Sequence, residues 1–95
     1  MPYIKADDRL RVMKHLNPLL DELKAIPDDE IDGVLNYVIS RIVASTLGWC
    51  GWRYRTIARA IAVFEAAKLE FYRRVAAPYE DKAIAKNGDI NEYMQ

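Results

Sequence analysis

The stretch Arg53-Tyr54-Arg55-Thr56-Ile57-Ala58-Arg59-Ala60-Ile61-Ala62-Val63-Phe64-Glu65-Ala66-Ala67-Lys68-Leu69-Glu70-Phe71-Tyr72-Arg73-Arg74-Val75 is the longest run free of glycine and proline, and it holds most of the aromatics and arginines. Wound at about 100° per residue, it places Ile57, Ile61, Phe64, Phe71 and Val75 on one apolar face, with Tyr72 at the edge and the Lys68 stem along it. This spacing predicts one long buried helix. The opposite side gathers Arg55, Arg59, Ala62, Ala66 and Arg73 within roughly 60°. Two alanines one turn apart admit a neighbouring backbone or a flat ligand. The arginines beside them supply planar, permanently charged donors suited to phosphate or carboxylate. The plainer reading, and the favoured one from residues alone, is a helix packed through its alanines with its arginines paired to acids elsewhere.

Beyond this stretch the chain closes and restarts. The residue before Pro78 is pushed out of helical geometry, so the long helix is expected to end around Ala76-Ala77. Pro78 then opens a short helix through about Lys86, closed by Asn87-Gly88, and residues 89–95 form a loosely held tail. Upstream, Gly48-Trp49-Cys50-Gly51-Trp52 is a glycine-bracketed loop. Its tryptophans either plug the ends of the core, the favoured reading, or offer a stacking surface.

The helix before that loop runs to about Leu47 with Ile31, Val34, Leu35, Val38 and Ile42 on one face and Gly48 as its C-terminal stop. Asn36, Tyr37, Ser40 and Arg41 lie off that stripe. They bring more polar chemistry than packing requires. Pro27-Asp28-Asp29-Glu30 starts this helix, and its acids read as first-turn capping groups rather than magnesium ligands. Residues 1–6 read as a lead-in to a first helix capped by Asp7 or Asp8, with Leu10, Met13 and Leu16 at helical spacing. Asn17-Pro18 signals a second short helix or a kinked continuation. His15 stands alone, and no metal-ligand pattern or catalytic signature accompanies it. The expectation is an all-α single domain over residues 1–95, three to four helices with one long central helix around a small core.

Ninety-five residues suit one domain whose stability as a lone monomer is marginal, so a homo-oligomer is expected. The 14 basic and 14 acidic side chains cancel, which argues against general nucleic-acid coating. The distribution is uneven. Residues 1–33 carry five basic and eight acidic groups, net −3, whereas residues 53–75 carry six basic and two acidic groups, net +4. Such asymmetry is resolved within the fold, across a subunit contact, or by a small anion. One cysteine, Cys50, cannot form an intrachain disulfide and suits a reducing cytoplasm. No signal-peptide pattern and no apolar run of membrane-spanning length is present.

Leu69-Glu70-Phe71-Tyr72-Arg73-Arg74-Val75-Ala76-Ala77-Pro78-Tyr79-Glu80-Asp81-Lys82, followed by Asn87-Gly88-Asp89, resembles a family of small bacteriophage accessory proteins, and Val34-Leu35-Asn36-Tyr37-Val38-Ile39-Ser40-Arg41 fits the same pattern. The resemblance covers the second half of the chain well and the N-terminal third hardly at all. Ala83 stands where that pattern commonly has a second lysine. The motif itself has two physical readings. Arg73, Arg74 and Tyr72 meet Tyr79 and Lys82 around the proline corner to grip phosphates and a flat base, or Arg73 or Arg74 pairs with Glu80 or Asp81 in a structural corner.

Joined to the phage resemblance, these residues point to a non-enzymatic binder that sequesters a nucleotide-like immune signal in the cytoplasm of an infected host, with no cofactor. Its expected ligand-binding residues are Asn36, Tyr37, Arg55, Arg59, Tyr72, Arg73, Arg74, Tyr79 and Lys82. The alternatives are a module that binds a host protein through the tryptophan loop and the tail, and a helical nucleotide pyrophosphohydrolase. The last needs clustered carboxylates, whereas Glu65 and Glu70 lie about 140° apart around the long helix.

Overall fold

The computed structural model describes residues 2–94, and these form an all-α chain. Helix α1 is Ala6–Lys24, α2 is Ile31–Leu47, α3 is Tyr54–Phe71 and α4 is Ala77–Asn87. A five-residue π-helical segment, Tyr72–Ala76, joins α3 to α4, so residues 54–87 make one joined helix of 34 residues. A 3₁₀ turn, Asn91–Tyr93, follows. Backbone contacts divide the chain into two compact units, Pro2–Ile61 and Ala62–Gln95, the second described as far as Met94.

Within Pro2–Ile61 the lead-in is extended, and the Arg9 guanidinium fixes it by donating from Nε to the Ile4 carbonyl at 2.8 Å. Helix α1 begins earlier than a cap at Asp7 or Asp8 implies, at Ala6. Lys5 is its N-cap without a side-chain bond, and Asp7 and Asp8 sit inside the first turn, where they favour the helix dipole instead of capping it. Pro18 does not restart the helix; it lies inside α1. A proline there loses one backbone bond, and the turns on either side carry the helix across it.

Helices α1 and α2 pack against each other. Between them, Glu30 donates its backbone N–H to the Pro27 carbonyl at 3.0 Å in a tight turn. The run Asp28-Asp29-Glu30 therefore precedes α2, and Glu30, the N-cap, makes no side-chain capping bond. Asp32 is the acid of the first turn. The capping role expected of the acidic run is corrected accordingly. Gly48 closes α2 as expected, its N–H reaching the Ala44 carbonyl at 2.9 Å.

Gly48 stands where it does because of a close approach. A Cβ at this position would lie 2.5 Å from Cζ2 of Trp52 and 2.7 Å from the Ala44 carbonyl oxygen. The Trp52 indole thus lies over the end of α2. Trp49 does not pack: it is 81% exposed, against 50% for Trp52. The favoured expectation that both tryptophans plug a core fails for Trp49, because the reverse turn closed by Gly51 N–H to the Gly48 carbonyl at 2.9 Å leaves it on the loop surface. Helix α3 then starts on a local device. Thr56 Oγ1 accepts the Arg53 backbone N–H at 2.9 Å and donates to the Arg53 carbonyl at 3.0 Å.

Within Ala62–Gln95 the expected break before Pro78 is absent. Ala77 is helical at φ −62° and ψ −48°, and its N–H bonds to the Tyr72 carbonyl, five residues back. That wider turn shifts the hydrogen-bond register just ahead of Pro78, which stands in the first turn of α4. The proline's missing donor is therefore accommodated without ending the helix. Helix α4 ends where the sequence indicated. Gly88 closes it at φ +93°, a conformation that side-chain-bearing residues rarely adopt.

Burial is the main departure from expectation. Among the described residues only Ala60 is buried, at 8% exposure. Ile57, Ile61, Phe64, Phe71 and Val75 are all exposed, so the long helix is not buried within its own chain. Their apolar face has the expected period, and its side chains are exposed.

Candidate functional site

In the unit Pro2–Ile61 four of the relevant residues lie on α2 and two on α3. Ser40 Oγ donates to Asn36 Oδ1 at 3.3 Å, and Arg41 donates from Nη1 to the Tyr37 phenol oxygen at 2.7 Å. The Arg41 guanidinium also stands 5.6 Å from the Tyr37 ring centroid, within cation–π range. These are pairs one turn apart on α2, so the Arg41 cation and the Ser40 and Tyr37 hydroxyls stand beside the Asn36 amide on exposed helix surface. Arg55 and Arg59, one turn apart near the start of α3, make no hydrogen bond or ion pair among the described residues.

In the unit Ala62–Gln95 the π-helical segment sets the geometry. Arg73 is paired with Glu70, with Nε 3.0 Å from Oε1. The Tyr72 phenol donates to Glu80 Oε2 at 3.3 Å. The negative charge of Glu80, and then its hydrogen bond, hold the Tyr72 phenol above its ordinary pKa. Of the two arginines expected at the corner, Arg74 pairs with neither Glu80 nor Asp81 among the described residues, and the pair seen for Arg73 is with Glu70. The helix runs on without a corner and brings the Tyr72 phenol to Glu80. Arg74 has no partner among the described residues.

Tyr79 and Lys82 come together with Ala83, Lys86 and Asn87 around a shallow groove of about 240 Å³ on α4. The spacing is helical, so these five side chains share one face. Tyr79 is 74% exposed, which leaves its ring open, and Lys82 makes no ion pair among the described residues. An open aromatic ring next to two ammonium groups can stack a flat ring and neutralise phosphate. Lys86 and Asn87 were missing from the sequence-based set. Projecting Lys82 forward by one turn and Tyr79 by two finds both.

The carboxylates do not converge. Among the described residues no group of three or more His, Cys, Asp or Glu is placed to hold a metal ion. Nor is any described helix long and apolar enough to cross a membrane. These observations define an all-helical protein whose polar chemistry is cationic and aromatic, spread over exposed helix faces. The chain belongs to the family described as Domain of unknown function (DUF6899), which matches residues 1–90. The match takes in the N-terminal third that the motif resemblance hardly reached. No curated protein and no solved structure matches the chain.

Proposed function

We propose that this is a phage accessory protein that binds a nucleotide-like signalling molecule and holds it without chemical change. The observation that carries this reading is the α4 groove, where the open Tyr79 ring stands beside Lys82 and Lys86. Arg74, without a partner among the described residues, supplies a further phosphate donor in the same unit, and Arg55 and Arg59 are open donors of their own on α3. Arg73 contributes in exchange with Glu70, and Tyr72 and Tyr37 contribute ring faces. In a homo-oligomer, several such donors meet on one ligand, which gives a sequestering protein the affinity it needs. The site of action is the cytoplasm of the infected host.

The test is thermal unfolding of the purified protein against cyclic dinucleotides, cyclic ADP-ribose isomers and ordinary mononucleotides, with recovered ligand weighed by mass spectrometry. A ligand at 100 times its dissociation constant adds about 2.7 kcal/mol. A shift with one compound recovered intact, weakened by Lys82→Ala, Arg55→Ala or Arg73→Ala, supports the reading. No shift with any compound overturns it.

A second reading, a module that binds a host protein, is favoured by one observation: Trp49 projects from its loop, and exposed tryptophans commonly anchor protein interfaces. Capture of one host protein, lost in Trp49→Ala, supports it. A pyrophosphohydrolase requires carboxylates that gather a metal. The described residues offer no such set within one chain.

A further inference from the structure

Within the unit Pro2–Ile61, the loop after α2 and the start of α3 carry an exposed patch of rings and cations. Residues 33–61 contain no acid and no lysine but four arginines, of which Arg53, Arg55 and Arg59 fall in this patch. All three are exposed and make no ion pair among the described residues. Helix α3 has no acid in its first turn, where one is ordinarily favoured, so the helix supplies no local counter-charge either. The aromatics are equally open. Tyr54, at 89%, and Trp49, at 81%, are the two most exposed large aromatic or aliphatic side chains among the described residues.

We propose that the tryptophan loop and the first turns of α3 bind single-stranded nucleic acid, with Trp49 and Tyr54 stacking on bases and Arg53, Arg55 and Arg59 neutralising the phosphates between them. The first argument is charge. Arginines without acids call for a partner that brings several anions, and a phosphodiester strand brings one with every nucleotide. Arg55 and Arg59 stand one turn apart on one face of α3, about 6 Å along its axis, so they can meet successive phosphates. A protein partner would have to gather several carboxylates at that spacing, whereas a strand carries its charges there by covalent structure.

The second argument is the order of residues. Trp52-Arg53-Tyr54-Arg55 alternates ring and cation, as a strand alternates base and phosphate. Trp52 has a structural share: its indole lies over the end of α2 against Gly48 and anchors the loop that presents Trp49. A single strand offers its base faces to such rings, whereas a duplex has them stacked internally. The zero net charge of the chain argues against coating a duplex, and the excess here is local.

The experiment is fluorescence anisotropy of end-labelled DNA and RNA single strands of matching mixed sequence, about 12 nucleotides long, and of the corresponding DNA duplex. Each is titrated with the full chain at several salt concentrations. At least one single strand should bind, and the duplex more weakly; a preference between DNA and RNA names the strand. The logarithm of the affinity should fall with that of the salt concentration at a slope of about −2, as for three phosphates on a single strand, and Arg59→Gln should make the slope shallower by about 0.7. Tyr54→Ala, which removes an almost wholly exposed ring, should weaken binding roughly 5- to 140-fold with circular dichroism unchanged. Trp52→Phe leaves Trp49 as the single tryptophan, and the bound strand should quench its fluorescence.

No binding of either single strand overturns the proposal, as does a duplex bound as tightly, an affinity indifferent to salt, or binding that Tyr54→Ala leaves unchanged. Capture of a host protein through Trp49 with no strand bound overturns it too. The patch does not include the α4 groove, so Lys82→Ala should leave strand binding intact, and a loss there also overturns the assignment. Strand binding and nucleotide sequestration therefore fail separately.

Discussion

Substituting Gly48→Ala tests the junction between α2 and the tryptophan loop. At φ −96° this backbone is open to any residue, so the glycine is not required by its own dihedral angle. On that ground alone alanine stabilises by about 0.4–1 kcal/mol, through a less flexible unfolded chain. The close approach opposes this gain. The new Cβ meets Cζ2 of Trp52 at 2.5 Å and the Ala44 carbonyl oxygen at 2.7 Å. The indole can swing away, at the loss of its contact with the helix end; the carbonyl belongs to α2 and moves only with it. Overpacking of this kind costs about 1–3 kcal/mol.

The net expectation is a destabilisation of about 1–2 kcal/mol, which lowers Tm by about 4–15 °C in a chain of this size. Urea unfolding followed by far-ultraviolet circular dichroism reads it, at one fixed protein concentration, since association shifts apparent stability. Repeating the substitution in a Trp52→Ala background isolates the indole, and a coupling of at least about 0.5 kcal/mol is expected. Gly48→Ala as stable as the parent, or more stable, refutes the close-approach account.

Three further outcomes follow from the same structure. Tyr72 is held above its ordinary pKa by Glu80, so in an ultraviolet absorbance titration the Tyr72 phenol should ionise at lower pH in Glu80→Gln than in the parent, with Tyr72→Phe identifying its signal. Since the folded pKa is the higher, any stability from this pair is present below about pH 10 and is lost as pH rises through the folded value. Pro18→Ala should raise both helicity and Tm, because an interior proline costs about 3 kcal/mol; a lower Tm would mean that the proline ring itself is needed for packing on α2. Tyr37→Phe should change stability by less than about 0.5 kcal/mol, as its contacts with Arg41 are exposed, and a larger loss on urea unfolding would show the pair to be covered in the native assembly.

The sequence by itself determined that the chain is helical and where α2 and α4 end. Ile31, Val34, Leu35, Val38 and Ile42 repeat at helical spacing up to Gly48, and α2 stops there. Asn87-Gly88 closes α4 for the same local reason. Of the candidate site residues, helical periodicity groups Tyr79 with Lys82 on one face but does not say which acid each base or phenol reaches. Only the tertiary structure decided that Arg73 turns back to Glu70 while Tyr72 takes Glu80. It also decided that Pro18 and Pro78 stay inside helices. A proline's preference for ending a helix is a matter of about 3 kcal/mol, which neighbouring turns and a π-helical register shift can outweigh. Burial was least legible of all. Periodicity marks Phe64, Phe71 and Val75 as a face to be covered, but what covers a face is another surface, and no repeat within one chain says that this surface lies in the same chain.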